Sequence, residues 1–210
     1  MFGSVRVVTP PLVEPVDLDT VRRHCRVDSH YDDDLLTMYS MTARDMAERW
    51  LNRACITQEL LFSITNSPPP TASPLVPQSL IVFPLNWPPV IRKPISIPRA
   101  PCTSVVSVLW GQVGDLTPAD PANDYVLNLE VEPAQIMLKA PLVPMIPAYA
   151  MQMDYIAGYG PGPGDVPSPI RHGILMLTAA LYEGRGDVDS PIPEAAWSIM
   201  ASYRLWQFAG

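Results

Sequence analysis

The sequence predicts an α+β protein: a small helical bundle, with two N-terminal and two C-terminal helices, carrying an inserted β-rich, proline-rich segment. Three observations carry this expectation. Apolar residues recur at helical spacing between Asp17 and Leu51 and again from Ser168 onward. Between Leu60 and Ala157 the period changes to the alternation of strands. The 26 prolines gather between Pro68 and Pro101 and between Pro141 and Pro169, where long helices cannot run. The corresponding division is 1–57 for the N-terminal helical part of the body, 58–157 for the β-rich insertion with its proline-rich arm, and 158–210 for the C-terminal helical part and tail.

Pro15 precedes Asp17, whose carboxylate can accept from the free amides of a first helical turn. Leu18, Val21 and Cys25 follow at helical spacing, so a short helix is expected from Asp17 to about Arg26. After the polar break Asp28-Ser29-His30-Tyr31, the run Asp32-Asp33-Asp34 places negative charge where a helix N-terminus favours it. The second helix should span Asp33 to Leu51. Its apolar stripe is Leu35, Tyr39, Ala43, Met46 and Trp50, widened by Leu36, Ala47 and Leu51, with Thr37, Ser40, Arg44, Asp45, Glu48 and Arg49 on the other side.

Leu60, Phe62 and Ile64 alternate with Glu59, Leu61, Ser63 and Thr65, which suits a strand. From Asn66 to Pro98 only short extended pieces such as Leu80 to Phe83 can pair, mainly at a sheet edge. Val105 to Trp110, Tyr125 to Leu129, Gln135 to Lys139 and Met151 to Ala157 read as four further strands, separated by turn-forming residues, in a small meander or barrel-like sheet. The glycine-rich loop Gly158 to Asp165 ends the sheet. Ser168-Pro169 then starts a third helix with Ile170, Ile174, Leu177 and Leu181 on its apolar face. Ser190-Pro191 repeats that start signal for a fourth helix, with Ile192, Ala196, Ile199, Met200 and Tyr203 on one side.

The net charge of −7 supplies no basic footprint for gripping nucleic acid. Three cysteines, Cys25, Cys55 and Cys102, without a CxxC spacing suit a reduced, intracellular product, and no leader-like or membrane-spanning segment is read.

Several residue groups invite chemical readings. His24, Asp28, His30 and Asp32 lie close enough in sequence to suggest a small metal-dependent enzyme, but they straddle a loop and lack an i, i+4 histidine pair. No catalytic residue, metal or cofactor is expected. Cys25 and Cys55 fall where core residues belong, and buried cysteines are usually inert. The Gly158 to Gly164 loop lacks a phosphate-loop pattern and carries prolines that remove amide donors. The proline-rich segment could alternatively make the chain a monomeric interaction domain. The aromatic tail, Trp197, Tyr203, Trp206 and Phe208 with Met200, offers partner anchors.

Asp17-Leu18 followed by His24-Cys25-Arg26-Val27-Asp28, then Asp32-Asp33-Asp34-Leu35-Leu36, resembles the opening of the phage head-tail connector (adaptor) proteins of long-tailed phages and gene transfer agents. In that family a long helix ends near "GR.LI.Q"; here the ending reads Asn52-Arg53-Ala54-Cys55-Ile56-Thr57-Gln58, with asparagine where glycine is usual. Asp154-Tyr155-Ile156-Ala157-Gly158-Tyr159-Gly160, Val166-Pro167-Ser168-Pro169-Ile170-Arg171, Leu181-Tyr182-Glu183 and Tyr203-Arg204 continue the likeness in order. The long Asn66 to Pro98 stretch and His172-Gly173 depart from it.

The resemblance implies a structural subunit and not an enzyme. It implies a ring of about a dozen copies under the portal protein, a channel through which DNA passes without specific binding, and a platform for a tail or stopper protein. Its place would be the virion neck, reached from the host cytoplasm during assembly, with no membrane contact. Within that picture Trp197, Met200, Tyr203, Trp206 and Phe208 are candidates to meet the portal. Asp28, Asp32, Asp33 and Asp34 are candidates for an acidic channel wall that repels the DNA backbone. Phe83, Trp87 and Trp110 are candidates for contacts between subunits.

Overall fold

The computed structural model describes residues 2–66, 94–139, 149–185 and 193–205. In chain order they form β1 (Phe2–Thr9), α1 (Leu18–Cys25), α2 (Asp33–Leu51), β2 (Gln58–Asn66), β3 (Ile95–Ser96), β4 (Cys102–Gln112), β5 (Asp115–Pro118), β6 (Tyr125–Asn128), β7 (Gln135–Leu138), β8 (Tyr149–Ala157), α3 (Ser168–Gly184) and α4 (Glu194–Met200). A 3₁₀ turn at Ala201–Tyr203 continues α4. The α+β class expected from the sequence is the one observed. The starts proposed for the fourth helix at Ser190-Pro191, its Ile192, and the extended piece Leu80 to Phe83 lie outside the described residues.

The strands make two antiparallel sheets, one ordered β1-β2-β8-β4-β5 and a smaller one ordered β3-β7-β6. β2 behaves as its alternation requires: Leu60, Phe62 and Ile64 are buried. Strand β1 was not anticipated. Most of its side chains are exposed, so it carries no amphipathic signal, and its order comes from pairing with β2 from Phe2 opposite Thr65 to Thr9 opposite Glu59. The short β3 and β5 were missed for a similar reason, since two- and four-residue strands show no period.

Two apolar clusters result. One lies among the helices, with Leu36, Ala47, Leu51, Ile170, Ile174 and Met200 fully buried. The other lies against the sheets, around Leu60, Ile97, Ile136, Met153 and Tyr155. Asp17 caps α1 by accepting the Thr20 amide at 2.8 Å, as its position suggested. Helix α2 has the anticipated limits, but its buried face is rotated: Leu36, Ser40, Ala43, Ala47, Glu48 and Leu51 are buried, while Leu35, Tyr39, Met46 and Trp50 are only half-buried. The assignment of Ser40 and Glu48 to the outer side is therefore corrected. Two alanines let α3 approach on this side, and Glu48 turns towards the β segment.

On α3, Gly173 fits under α4. A Cβ added there would sit 2.5 Å from Met200 Sδ and 2.6 Å from its Cγ, inside contact distance. Gly173→Ala should therefore lower stability by about 1–3 kcal/mol despite alanine's better helix propensity. The added Met200→Ala change should make the methyl harmless, so that a double-mutant cycle in urea yields a clear coupling between the two positions. On α4, Ala196 and Met200 are buried as anticipated, but Ile199 is 38% exposed and departs from the expected face.

Candidate functional site

Two of the strings that carried the family likeness, Asn52 to Gln58 and Asp154 to Gly160, meet with Tyr203 at the joint between helices and sheet. Helix α2 ends at Asn52 in the left-handed conformation, φ 55° and ψ 42°, which asparagine adopts more readily than most residues; this explains how it can stand in a glycine position. Its side-chain oxygen accepts the Arg99 amide at 3.3 Å. Arg53 is 7% exposed and ties three segments together. Its Nε donates to the Tyr203 carbonyl at 2.6 Å, a terminal nitrogen pairs with Glu132 at 2.7 Å, and the guanidinium lies 5.7 Å from the Tyr159 ring centroid. An arginine fork fits this task because it offers several donors in fixed directions.

Glu48 sits beneath this joint, 5% exposed. One oxygen accepts the Cys55 amide at 2.8 Å and Gln58 Nε2 at 3.0 Å; the other stands 3.6 Å from the Arg99 guanidinium. Burial pushes its carboxyl above the ordinary value, and these donors only partly offset that. Glu14, paired with Arg44 at 2.7 Å, is likewise raised by burial. Gln58 was visible in the sequence string; Glu48 was not, because a charged residue on a helix reads as solvated, and neither was Arg99, which lies in a bend between β3 and β4.

The loop after β8 closes the joint from the other side. Gly158 has φ +138°, and an added Cβ would lie 2.5 Å from the Ile56 carbonyl carbon and the Thr57 nitrogen. Amides and carbonyls alternate across the crossing: the Tyr159 amide donates to Cys55 and the Thr57 amide to Gly160. The Asp165 carboxylate fills the space beside Gly160 and accepts the Gly162 amide at 2.9 Å. The glycines thus serve close chain packing. Tyr155, fully buried, donates to the Pro98 carbonyl at 2.8 Å. Burial pushes the Tyr159 hydroxyl up to about 12 and the Cys102 thiol up to about 11, and raises Cys55 well above its ordinary value. The three thiols are unpaired, and none has the lowered pKa a nucleophile needs.

The four aspartates divide into two kinds. Asp28 and Asp34 are exposed. Asp32 accepts the Tyr182 hydroxyl at 2.6 Å, joining α2 to α3, and Asp33 pairs with Arg22 at 2.8 Å and His30 at 3.0 Å. His24 faces His172 with ring centroids 6.4 Å apart. Among the described residues no group of three or more His, Cys, Asp or Glu side chains is placed to hold a metal ion, so the structure does not assemble the His24 to Asp32 cluster into a site.

Of the aromatic group, Trp197 is half-buried and packs on Trp50 with centroids 5.1 Å apart, and Arg204 covers the other ring at 4.6 Å from the Trp50 centroid. Tyr203 is half-buried against the helical cluster. Met200 is fully buried under Gly173, so it is a core residue and not a surface anchor. Trp110 is half-buried against the sheet cluster. Trp206 and Phe208, and Phe83 and Trp87, lie outside the described residues. No helix among the described residues is long and apolar enough to cross a membrane.

No protein-family model matches the chain, and no curated protein matches it in sequence. Solved structures do match. A chain in the neck of an empty gene transfer agent (GTA) particle, computed with C6 symmetry, superposes with a TM-score of 0.69 at 19% identity, covering 99% of this chain and 98% of that one. A chain in the virion of the native GTA particle gives 0.68 at 18% identity, covering 98% and 97%. One in the neck of the native particle, computed with C12 symmetry, gives 0.67 at 18% identity, covering 99% and 98%. The fold is therefore shared along essentially the whole of both chains.

Proposed function

We propose that this chain is a structural subunit of the neck of a tailed phage or phage-like particle, a connector that forms a ring beneath the portal and extends the DNA channel towards the tail or stopper. The observation that carries the reading is the end-to-end match in both directions to chains solved within GTA particles and their necks. The joint supports it from within the molecule, because the connector-like strings around Asn52 to Gln58 and Asp154 to Gly160 turn out to hold the helices on the sheet.

In this reading the protein acts by binding energy and needs no catalytic group. Exposed Asp28 and Asp34 are the members of the acidic run free to face DNA and repel its backbone. Trp197 and Tyr203, with Trp206 and Phe208 beyond the described residues, form the portal-facing group. Trp110, and outside the described residues Phe83 and Trp87, serve contacts between neighbours. A ring of about a dozen copies fits the reading, since one of the matched neck structures was computed with C12 symmetry.

The test is an affinity pull-down of the tagged chain from its own source cells during particle production, with mass spectrometry of the eluate and imaging of what it contains. Recovery of a portal protein and of ring-shaped or capsid-attached particles is expected. Recovery of the chain alone would overturn the connector reading.

A further inference from the structure

Three consecutive residues that follow α4 are each held by a residue at the end of α2. The Tyr203 carbonyl accepts from Arg53 Nε at 2.6 Å, the Arg204 guanidinium lies over the Trp50 ring at 4.6 Å from its centroid, and the Leu205 amide donates to the Leu51 carbonyl at 3.0 Å. The last carbonyls of a helix have no partner inside it, so the Leu205 amide satisfies a group that α2 leaves open. After the 3₁₀ turn the backbone is extended, with Arg204 at φ −70° and ψ 126°. The course of the chain from Tyr203 onward is therefore set by α2 and not by continuation of a helix.

A composite surface results. Trp50 from α2, Trp197 from α4, and Tyr203 and Arg204 from the segment after it are all half-buried, so each keeps a part open to solvent. The two indoles pack with centroids 5.1 Å apart, and Arg204 adds its planar cation to the Trp50 ring. Tryptophan, tyrosine and arginine are the residue types that carry most of the energy of protein interfaces. Arg53 is the buried tie beneath them, 7% exposed, donating to Tyr203 through Nε and to Glu132 through a terminal nitrogen at 2.7 Å. A lysine there could keep the Glu132 pair, but it has no Nε donor for the Tyr203 carbonyl.

We propose that Arg53 is a positioning residue for the portal contact: by holding the Tyr203 carbonyl it sets Tyr203 and Arg204 beside Trp50 and Trp197 as one docking surface. This rests on the connector reading and adds to it two members of the contact, Trp50 and Arg204, and the residue that builds it.

The experiment uses the full tagged chain co-produced with its particle components. Portal protein recovered with it is quantified by mass spectrometry, and backbone hydrogen exchange is followed in the purified chain. Arg53→Lys should lower portal recovery at least tenfold and speed exchange at the Leu205 amide at least tenfold. Glu132→Ala, which cuts the other arm of Arg53 at a side chain 46% exposed, should leave both within twofold of the parent. A merely structural Arg53 would make the two variants fail together. Arg204→Ala removes a member of the surface without touching Arg53; it should lower recovery at least fivefold, and no further loss should appear when it is combined with Arg53→Lys. If thermal unfolding shows that Arg53→Lys has lost its fold, Arg204→Ala against Glu132→Ala carries the test. Parental recovery in a folded Arg53→Lys or in Arg204→Ala, or an equal loss in Glu132→Ala, would overturn the proposal while leaving the connector reading intact. If the parent chain recovers no portal protein, the connector reading itself fails.

Discussion

Gly158→Ala should lower stability by more than about 3 kcal/mol. Two costs add there. The backbone sits at φ +138°, a region that L side chains rarely adopt. The new Cβ would also meet the Ile56 carbonyl and the Thr57 nitrogen at 2.5–2.6 Å, and these are backbone atoms held by the Cys55–Tyr159 and Gly160–Thr57 hydrogen bonds. No rotamer change can relieve that contact, so the joint must open. Gly164→Ala is the matched control: nothing lies within 4 Å of its added Cβ, and the change should stay within about 0.5 kcal/mol. Urea unfolding of both variants decides the matter. A Gly158→Ala protein of parental stability would mean that the crossing of the two chains is much looser than these distances require.

Glu48→Ala should cost about 3–5 kcal/mol, because it leaves the Cys55 amide, the Gln58 side chain and the Arg99 charge without their buried acceptor. Glu48→Gln probes the same site through pH. Burial, the largest influence, raises the folded-state carboxyl above its ordinary 4.5. Between 4.5 and that raised value the native state therefore holds more protons than the unfolded chain, and stability falls as pH rises. The contribution is complete below pH 4.5 and is lost as pH climbs through the folded-state value. Glu14 acts in the same sense. Asp17 acts oppositely: its bond from the Thr20 amide lowers it, so its stabilisation is lost only as pH falls from 3.8 downward. In Glu48→Gln the decline in unfolding midpoint from about pH 4.5 towards neutrality should be shallower than in the parent, while the Asp17 limb stays. Equal slopes in the two proteins would show that Glu48 titrates as it would in the unfolded chain.

Local signals were read well where one residue type forces one conformation. Asp17 caps α1, and α2 runs from Asp33 to Leu51 as its charge and period suggested. Rotation of α2 was not readable to the same degree. A stripe wide enough to include Leu35, Tyr39, Met46 and Trp50 fixes a face only to within a residue or so, and which part is buried depends on where α3 arrives. Strand β1 was hidden because its stability is borrowed from β2, and Glu48 because charge on a helix is normally solvated. The connector-like string did contain Arg53 and Gln58. Their partners, Tyr203, Glu132 and Glu48, lie 150, 79 and 10 positions away and could not be named from it.

What the sequence by itself determined is the class of fold, most of the longer elements and the two strings of the joint, Asn52 to Gln58 and Asp154 to Gly160, since periodicity, capping and turn chemistry act over a few neighbouring positions. Tertiary structure alone decided the pairing of β1, the burial of Ser40, Glu48 and Met200, the need for glycine at 158 and 173, and the division of the acidic run into bonded Asp32 and Asp33 and exposed Asp28 and Asp34. The physical reason is common to all of them: each depends on which distant surface fills the space beside the residue, and close packing and desolvation fix a side chain's role only once that neighbour is in place.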